Sequence, residues 1–266
     1  MRYLSILTAL GMFAVALLSW FSQPDVTAAA AQNGWGAIKG QVVWAGGAAP
    51  TPQKAKVEND KAHCLSKGDI YLENYVINKD NQGMKWVFVW LAPDPPDPKG
   101  TLPIHPALQE IKDKEVAIDQ PCCMYEPHAL AIREGQTLVA KNSSPISHNV
   151  KWGGHPLYNP GGNVIIPPGK AHEIKNLRAD ERFPVKFECN IHGWMTAWAR
   201  VFKHPYYAVT DEDGHFEIKL APAGNYRLKV WHEEVGYRGG AAGRDGEVIT
   251  IRPDGVTDLG KLDLKP

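Results

Sequence analysis

Apolar and polar positions alternate with a period of two in many short runs, the signature of half-buried β-strands. Ala37-Ile38-Lys39-Gly40-Gln41-Val42-Val43-Trp44 predicts a first strand, closed by Ala45-Gly46-Gly47. Tyr75-Val76-Ile77 predicts a short strand, and Lys85 to Leu91 a strong one, rich in aromatic and β-branched residues. Val116-Ala117-Ile118 begins another. Ala129 to Asn142 reads as strand, Gly135 turn, strand, and runs into Ser147-His148-Asn149-Val150. Phe183-Pro184-Val185-Lys186-Phe187-Glu188-Cys189 places Phe183, Val185, Phe187 and Cys189 on one face, so the Cys189 thiol is expected to point into the core. Ala197 to Phe202 follows as a strand. Ala208 to Ile218 predicts a hairpin around Asp213-Gly214. Tyr226 to His232, Glu247 to Ile251 and Leu259 to Leu264 complete the set. Helical periodicity is scarce, with one turn expected in Ala107 to Asp113. The pattern predicts an all-β protein.

The 25 glycines and 21 prolines among 266 residues fit many turns. The Pro-rich stretch Pro93 to Gly100 cannot enter a sheet interior, because each proline removes a backbone donor. The 29 Lys and Arg balance the 29 Asp and Glu, so nothing favours a nucleic-acid partner. Arg2, the apolar run Tyr3 to Phe21 and the small residues Val26 to Ala31 have the form of a signal peptide, residues 1–31, with an uncleaved anchor as the alternative. No second membrane-length apolar run follows. An exported protein in the periplasm, cell envelope or extracellular space is expected.

The densest chemistry lies in Cys189-Asn190-Ile191-His192-Gly193-Trp194-Met195. A thiolate, an imidazole and a thioether suit copper, and a second imidazole would complete a blue-copper electron-transfer set. His148 is the best candidate for that imidazole. Zinc is the lesser reading, since Met is a poor zinc ligand. Cys64, Cys122 and Cys123 remain. In an oxidising compartment two of them can pair, and Cys64 with Cys123 is the expected bridge. A vicinal Cys122–Cys123 bridge and a second metal group of Cys122, Cys123 and His128 are the alternatives. The other histidines, among them His63, His204 and His232, are expected mostly at the surface or in turns. Asn142-Ser143-Ser144 matches a glycosylation acceptor by pattern alone. No nucleophile elbow, phosphate loop or His-Glu-x-x-His helix is present, so no enzymatic activity is expected.

Tyr125-Glu126-Pro127, then strand, Glu134-Gly135 turn, strand, Asn142 and His148-Asn149-Val150, resembles the cupredoxin pattern. Cys189-x-x-His192-x-x-Met195 resembles the family's metal loop in its short, amicyanin form. The resemblance runs from about Val116 to Phe202. It implies a Greek-key β-sandwich holding one type 1 copper, with His148, Cys189, His192 and Met195 as ligands. It also implies that Asn149 ties the His strand to the Cys loop, and that the His192 ring edge reaches the surface as the electron port. Gly- and Pro-rich Trp152 to Pro168 departs from the small cupredoxins.

Thr210-Asp211-x-x-Gly214-x-Phe216-x-Ile218, followed by Pro222-Ala223-Gly224-x-Tyr226-x-Leu228-x-Val230, resembles the carboxypeptidase-regulatory-like (transthyretin-like) β-sandwich. Ile38 to Val42 resembles that module's opening strand and is a candidate to pair with it. The expected organisation is a signal at 1–31, an N-terminal β segment and Pro-rich loop at 32–106, a copper domain at 107–204 and the smaller sandwich at 205–266. The function these features imply is an exported mononuclear copper protein that carries single electrons between redox protein partners. A non-redox envelope or carbohydrate binding module, and a copper storage or delivery protein, are the alternatives.

Overall fold

The computed structural model describes residues 34–97, 100–180 and 182–266. The expected signal segment lies outside them. In chain order the elements are β1 (Trp35–Trp44), α1 (Lys61–Cys64), β2 (Phe88–Pro93), α2 (Pro106–Gln109), β3 (Glu115–Ile118), β4 (Ala129–Arg133), β5 (Thr137–Asn142) and β6 (His148–Gly153). They continue with β7 (Gly162–Ile166), β8 (Lys170–Ile174), β9 (Val185–Glu188), β10 (Thr196–Phe202), β11 (Tyr207–Val209) and β12 (His215–Pro222). The last are β13 (Gly224–His232), β14 (Gly236–Tyr237), β15 (Glu247–Ile251) and β16 (Val256–Leu264). The fold is all-β, as the alternation predicts.

Among the described residues, four sheets surround two cores. The middle of the chain forms one sandwich, with sheet order β4-β10-β9-β6-β7 packed on β3-β5-β8. Ile118, Leu130, Leu138, Val150, Val185, Phe187 and Ala199 fill it. Their alternation along the strands is what drives the two sheets together, because each sheet has one apolar face to remove from water. Strands β7 and β8 lie in and beside the Gly- and Pro-rich segment, where the sequence pattern gave no strand. Their burial is partial, with Ile165 exposed, so the alternation is too weak to read.

The second core joins the two ends of the described chain. β1 pairs antiparallel with β12 and parallel with β16. β2 pairs with β11 and with β13. The segment at 205–266 therefore draws two of its strands from the N-terminal segment, with the middle sandwich inserted between them. The expected hairpin at Ala208 to Ile218 forms its turn, but β11 and β12 go to different sheets. Gly214 sits at φ +76°, and a Cβ there would lie 2.3 Å from the Val42 carbonyl oxygen. The turn is thus wedged against β1 as a corner between sheets.

Aromatic side chains occupy the seam between the sandwiches. Phe88, Trp90 and Trp231 from one side meet Ala129 and Phe202 from the other. The Arg200 guanidinium, on β10, lies 4.7 Å from the Trp90 ring centroid and 4.4 Å from that of Trp231. Cation–π attraction is strongest where the cation is desolvated, and Arg200 is 1% exposed. The Glu233 carboxylate binds both His128 and the Trp198 indole. His128 and His232 are buried here, against the expectation that they lie at the surface. His232 shares the inward parity of Leu228 and Val230, and His128 that of Leu130 and Ile132, but the surface that completes the burial of each comes from a distant part of the chain.

His232 makes the seam acid-sensitive. Burial pushes its pKa down to about 4, with nearby His128 adding to the effect and Glu233 opposing it. Between about pH 6.5 and about pH 4 the unfolded chain binds a proton that the folded chain refuses. Stability is therefore complete above that window and falls as the pH drops through it, by about 3 kcal/mol from this residue. Denaturant unfolding at stepped pH is expected to show this slope, flattened in His232→Gln.

Candidate metal centre

The centre lies at one end of the middle sandwich. β9 alternates Val185 and Phe187 inward, and the next inward residue is Cys189, 2% exposed. Phe183 breaks the expected pattern. It lies before β9 and is half-exposed, because Pro184 supplies no backbone donor to the ladder there. After Cys189 the chain turns tightly. The Cys189 N–H donates to the Met195 carbonyl at 3.2 Å, and the Met195 N–H donates to the His192 carbonyl at 2.9 Å. This closure places Cys189, His192 and Met195 in one loop, and all three are buried.

His148 arrives from β6, the neighbour of the edge strand β7. Its Nδ1 is 2.9 Å from Nδ1 of His192. The Cys189 Sγ is 3.9 Å from that same His192 Nδ1. The three donor atoms lie within 4.8 Å of one another. His148 and His192 are both 0% exposed. Burial pushes the His148 pKa down to about 4, helped by His192 and His63 and opposed by Asp60. A neutral imidazole is the form that binds metal. Met195 is 0% exposed and packs in the same core.

Asn149 stitches the two parts together. Its side-chain oxygen accepts from the Asn190 N–H at 2.7 Å, the Ile191 N–H at 3.2 Å and the Cys189 thiol at 3.3 Å. Its amide nitrogen donates to Asn163 at 2.8 Å. The Tyr125 hydroxyl donates to the Asn149 carbonyl. Burial, then the neighbouring Cys189 and Glu188, raise the Tyr125 pKa, so this donor stays protonated.

The surroundings of His192 differ from the expectation of an exposed ring edge. Residues 53–72 fold over it, with Ala55 and Ile70 paired through backbone and packed on the core. The Asp60 carboxylate accepts from His192 Nε2 at 2.9 Å. That bond fixes the tautomer that leaves the Nδ1 lone pair facing His148 and Cys189. The Asn59 side chain donates to the Ile191 carbonyl at 2.9 Å. Sequence reasoning missed Asp60, because Thr51 to Lys67 is polar and carries no periodic signal.

Cys64, at the end of α1, is joined by a disulfide to Cys123. The bond spans a sequence separation of 59. Chain-entropy reasoning then gives about 4 kcal/mol, so Cys64→Ser with Cys123→Ser should lower the unfolding free energy by that much in denaturant. Cys122 and Cys189 carry free thiols. The alternative metal group of Cys122, Cys123 and His128 is not formed, since Cys123 is paired and His128 is held by Glu233. Asn142 is 1% exposed and its amide donates to the Ile146 and Ile166 carbonyls, so it is no glycosylation acceptor.

Trp194 is half-buried. Its ring lies 5.1 Å from that of His192, and its indole N–H donates to the Cys123 carbonyl at 3.0 Å. It lines a cleft of about 240 Å³ with Lys186, Gly193, Thr196, Trp198 and Glu234. No described helix is long and apolar enough to cross a membrane.

No family model and no curated protein matches the chain. Solved structures do. An oxidised mutant amicyanin is 20% identical, with a TM-score of 0.30, over 35% of this chain and 87% of that one. A Cu(I) mutant amicyanin is 16% identical, with a TM-score of 0.30, over 43% and 98%. A purple cupredoxin from Nitrosopumilus maritimus is 19% identical, with a TM-score of 0.28, over 33% and 99%.

Proposed function

We propose that this chain is an exported, cupredoxin-like protein that holds one type 1 copper and passes single electrons between redox proteins. The observation that carries the reading is the convergence of two imidazole Nδ1 atoms and one thiol within 4.8 Å, all buried. Nitrogen and sulfur donors of this kind suit copper, and Met195 in the same loop would add a soft thioether. His148, Cys189, His192 and Met195 would hold the ion. When bound, copper supplies a one-electron change between its cupric and cuprous forms.

The chain's own residues do the rest. The Asn149 side chain holds the Cys189 loop to β6, so that the donors keep one geometry in both oxidation states. Asp60 orients His192 and makes its ring a stronger donor. Burial of all four side chains keeps water from the ligands. With the His192 edge covered, the half-exposed Trp194 ring is the nearest aromatic group leading outward, and its cleft is the surface for a redox partner.

Visible and paramagnetic resonance spectra of the copper-loaded protein test the reading. An intense thiolate-to-Cu(II) band that bleaches on reduction is expected. One equivalent of bound copper without that band would refute it.

A further inference from the structure

A second set of donors lies beside the first. Cys64 Sγ, Cys123 Sγ and a His192 ring nitrogen lie within 4.8 Å of one another. All three residues are at most 1% exposed. The two sets share His192. In the folded chain the outer pair is a disulfide, which ties residues 59–64 over His192 and seals the inner donors. A buried metal site needs an entry path. Closure of this bond would remove it.

We propose that Cys64, Cys123 and His192 form a transient Cu(I) site while the two cysteines are still thiols, and that this site loads the inner one. Two thiolates and one imidazole are a soft donor set that favours Cu(I). Binding there releases the two thiol protons. Transfer moves Cu(I) to Cys189 and His148, with His192 retained as a common ligand. Cys189 gives up its proton, and the Cys64 and Cys123 sulfurs take up that proton and one from water. The copper stays cuprous throughout. Exchange with an external protein disulfide then oxidises Cys64 and Cys123, delivering two electrons and two protons to that partner and closing the cover. The capture site stands on the cluster alone, whereas its loading role rests on the copper reading of the inner site.

The test uses the chain with Cys122→Ser and Cys189→Ser, so that Cys64 and Cys123 are its only thiols. The protein is reduced in urea, refolded without oxygen and titrated with Cu(I) against a coloured Cu(I) chelator. One equivalent of Cu(I) should bind and protect both thiols from alkylation. The disulfide form should bind none at the same chelator strength. Adding His192→Ala should weaken binding about tenfold or more, which an unfolded dithiol would not show. No Cu(I) uptake, or uptake indifferent to His192→Ala, would overturn the capture site. In the wild-type chain, Cu(I) added before disulfide closure should reach Cys189 much faster than Cu(I) added afterwards. Equal rates would overturn the loading role. Loss of the blue band alone would overturn the inner site and leave the capture result standing.

Discussion

Cys189→Ser is expected to abolish the intense visible band of the copper-loaded protein. The band requires charge transfer from a thiolate, and a serine hydroxyl stays protonated and binds copper weakly. The loss should be complete, while the fold survives. Sγ of Cys189 is replaced by a slightly smaller oxygen that can still donate to the Asn149 side-chain oxygen, 3.3 Å from the sulfur. Far-ultraviolet circular dichroism should therefore match the wild type. His148→Ala is a harsher change, since it opens a cavity at a residue that is 0% exposed. Retention of the band in Cys189→Ser would show that the copper sits elsewhere.

Asp60→Asn is expected to raise the reduction potential. The Asp60 carboxylate accepts from His192 Nε2 at 2.9 Å and lends negative charge to that ring. That charge favours the cupric form over the cuprous form. Groups in this position change metal affinity by about 10- to 100-fold, which corresponds to about 60 to 120 mV if it falls wholly on the cupric state. Asp60→Glu should recover part of the shift. A spectroelectrochemical titration measures it directly. A shift downward, or none, would mean that the carboxylate does not act through the ring.

Cover and charge are linked here. The Asp60 side chain is 45% exposed, so it meets solvent on one side and His192 on the other. Its backbone at φ 50° lies in the left-handed region and turns the chain into α1. The same short segment supplies Cys64 to the disulfide. A single turn thus carries both the carboxylate that meets His192 and the cysteine that closes the disulfide.

What the amino-acid sequence determined is local. Alternation gave most strands, because burial of one sheet face imposes a period of two on each strand by itself. The spacing of Cys189, His192 and Met195 was legible for a similar reason, since three donors on one short loop need no distant partner. His148 and Asn149 were legible through their place in a resembling pattern. Tertiary structure decided the rest. Nothing near Asp60 marks it as a partner of His192, 132 residues away. Nor does β11 announce that it will leave β12 for β2, since strand alternation specifies a face and not a neighbour. The burial of His128 and His232 and the covering of His192 arise where surfaces from separate parts of the chain meet. A single side chain carries no record of which remote surface will exclude water from it.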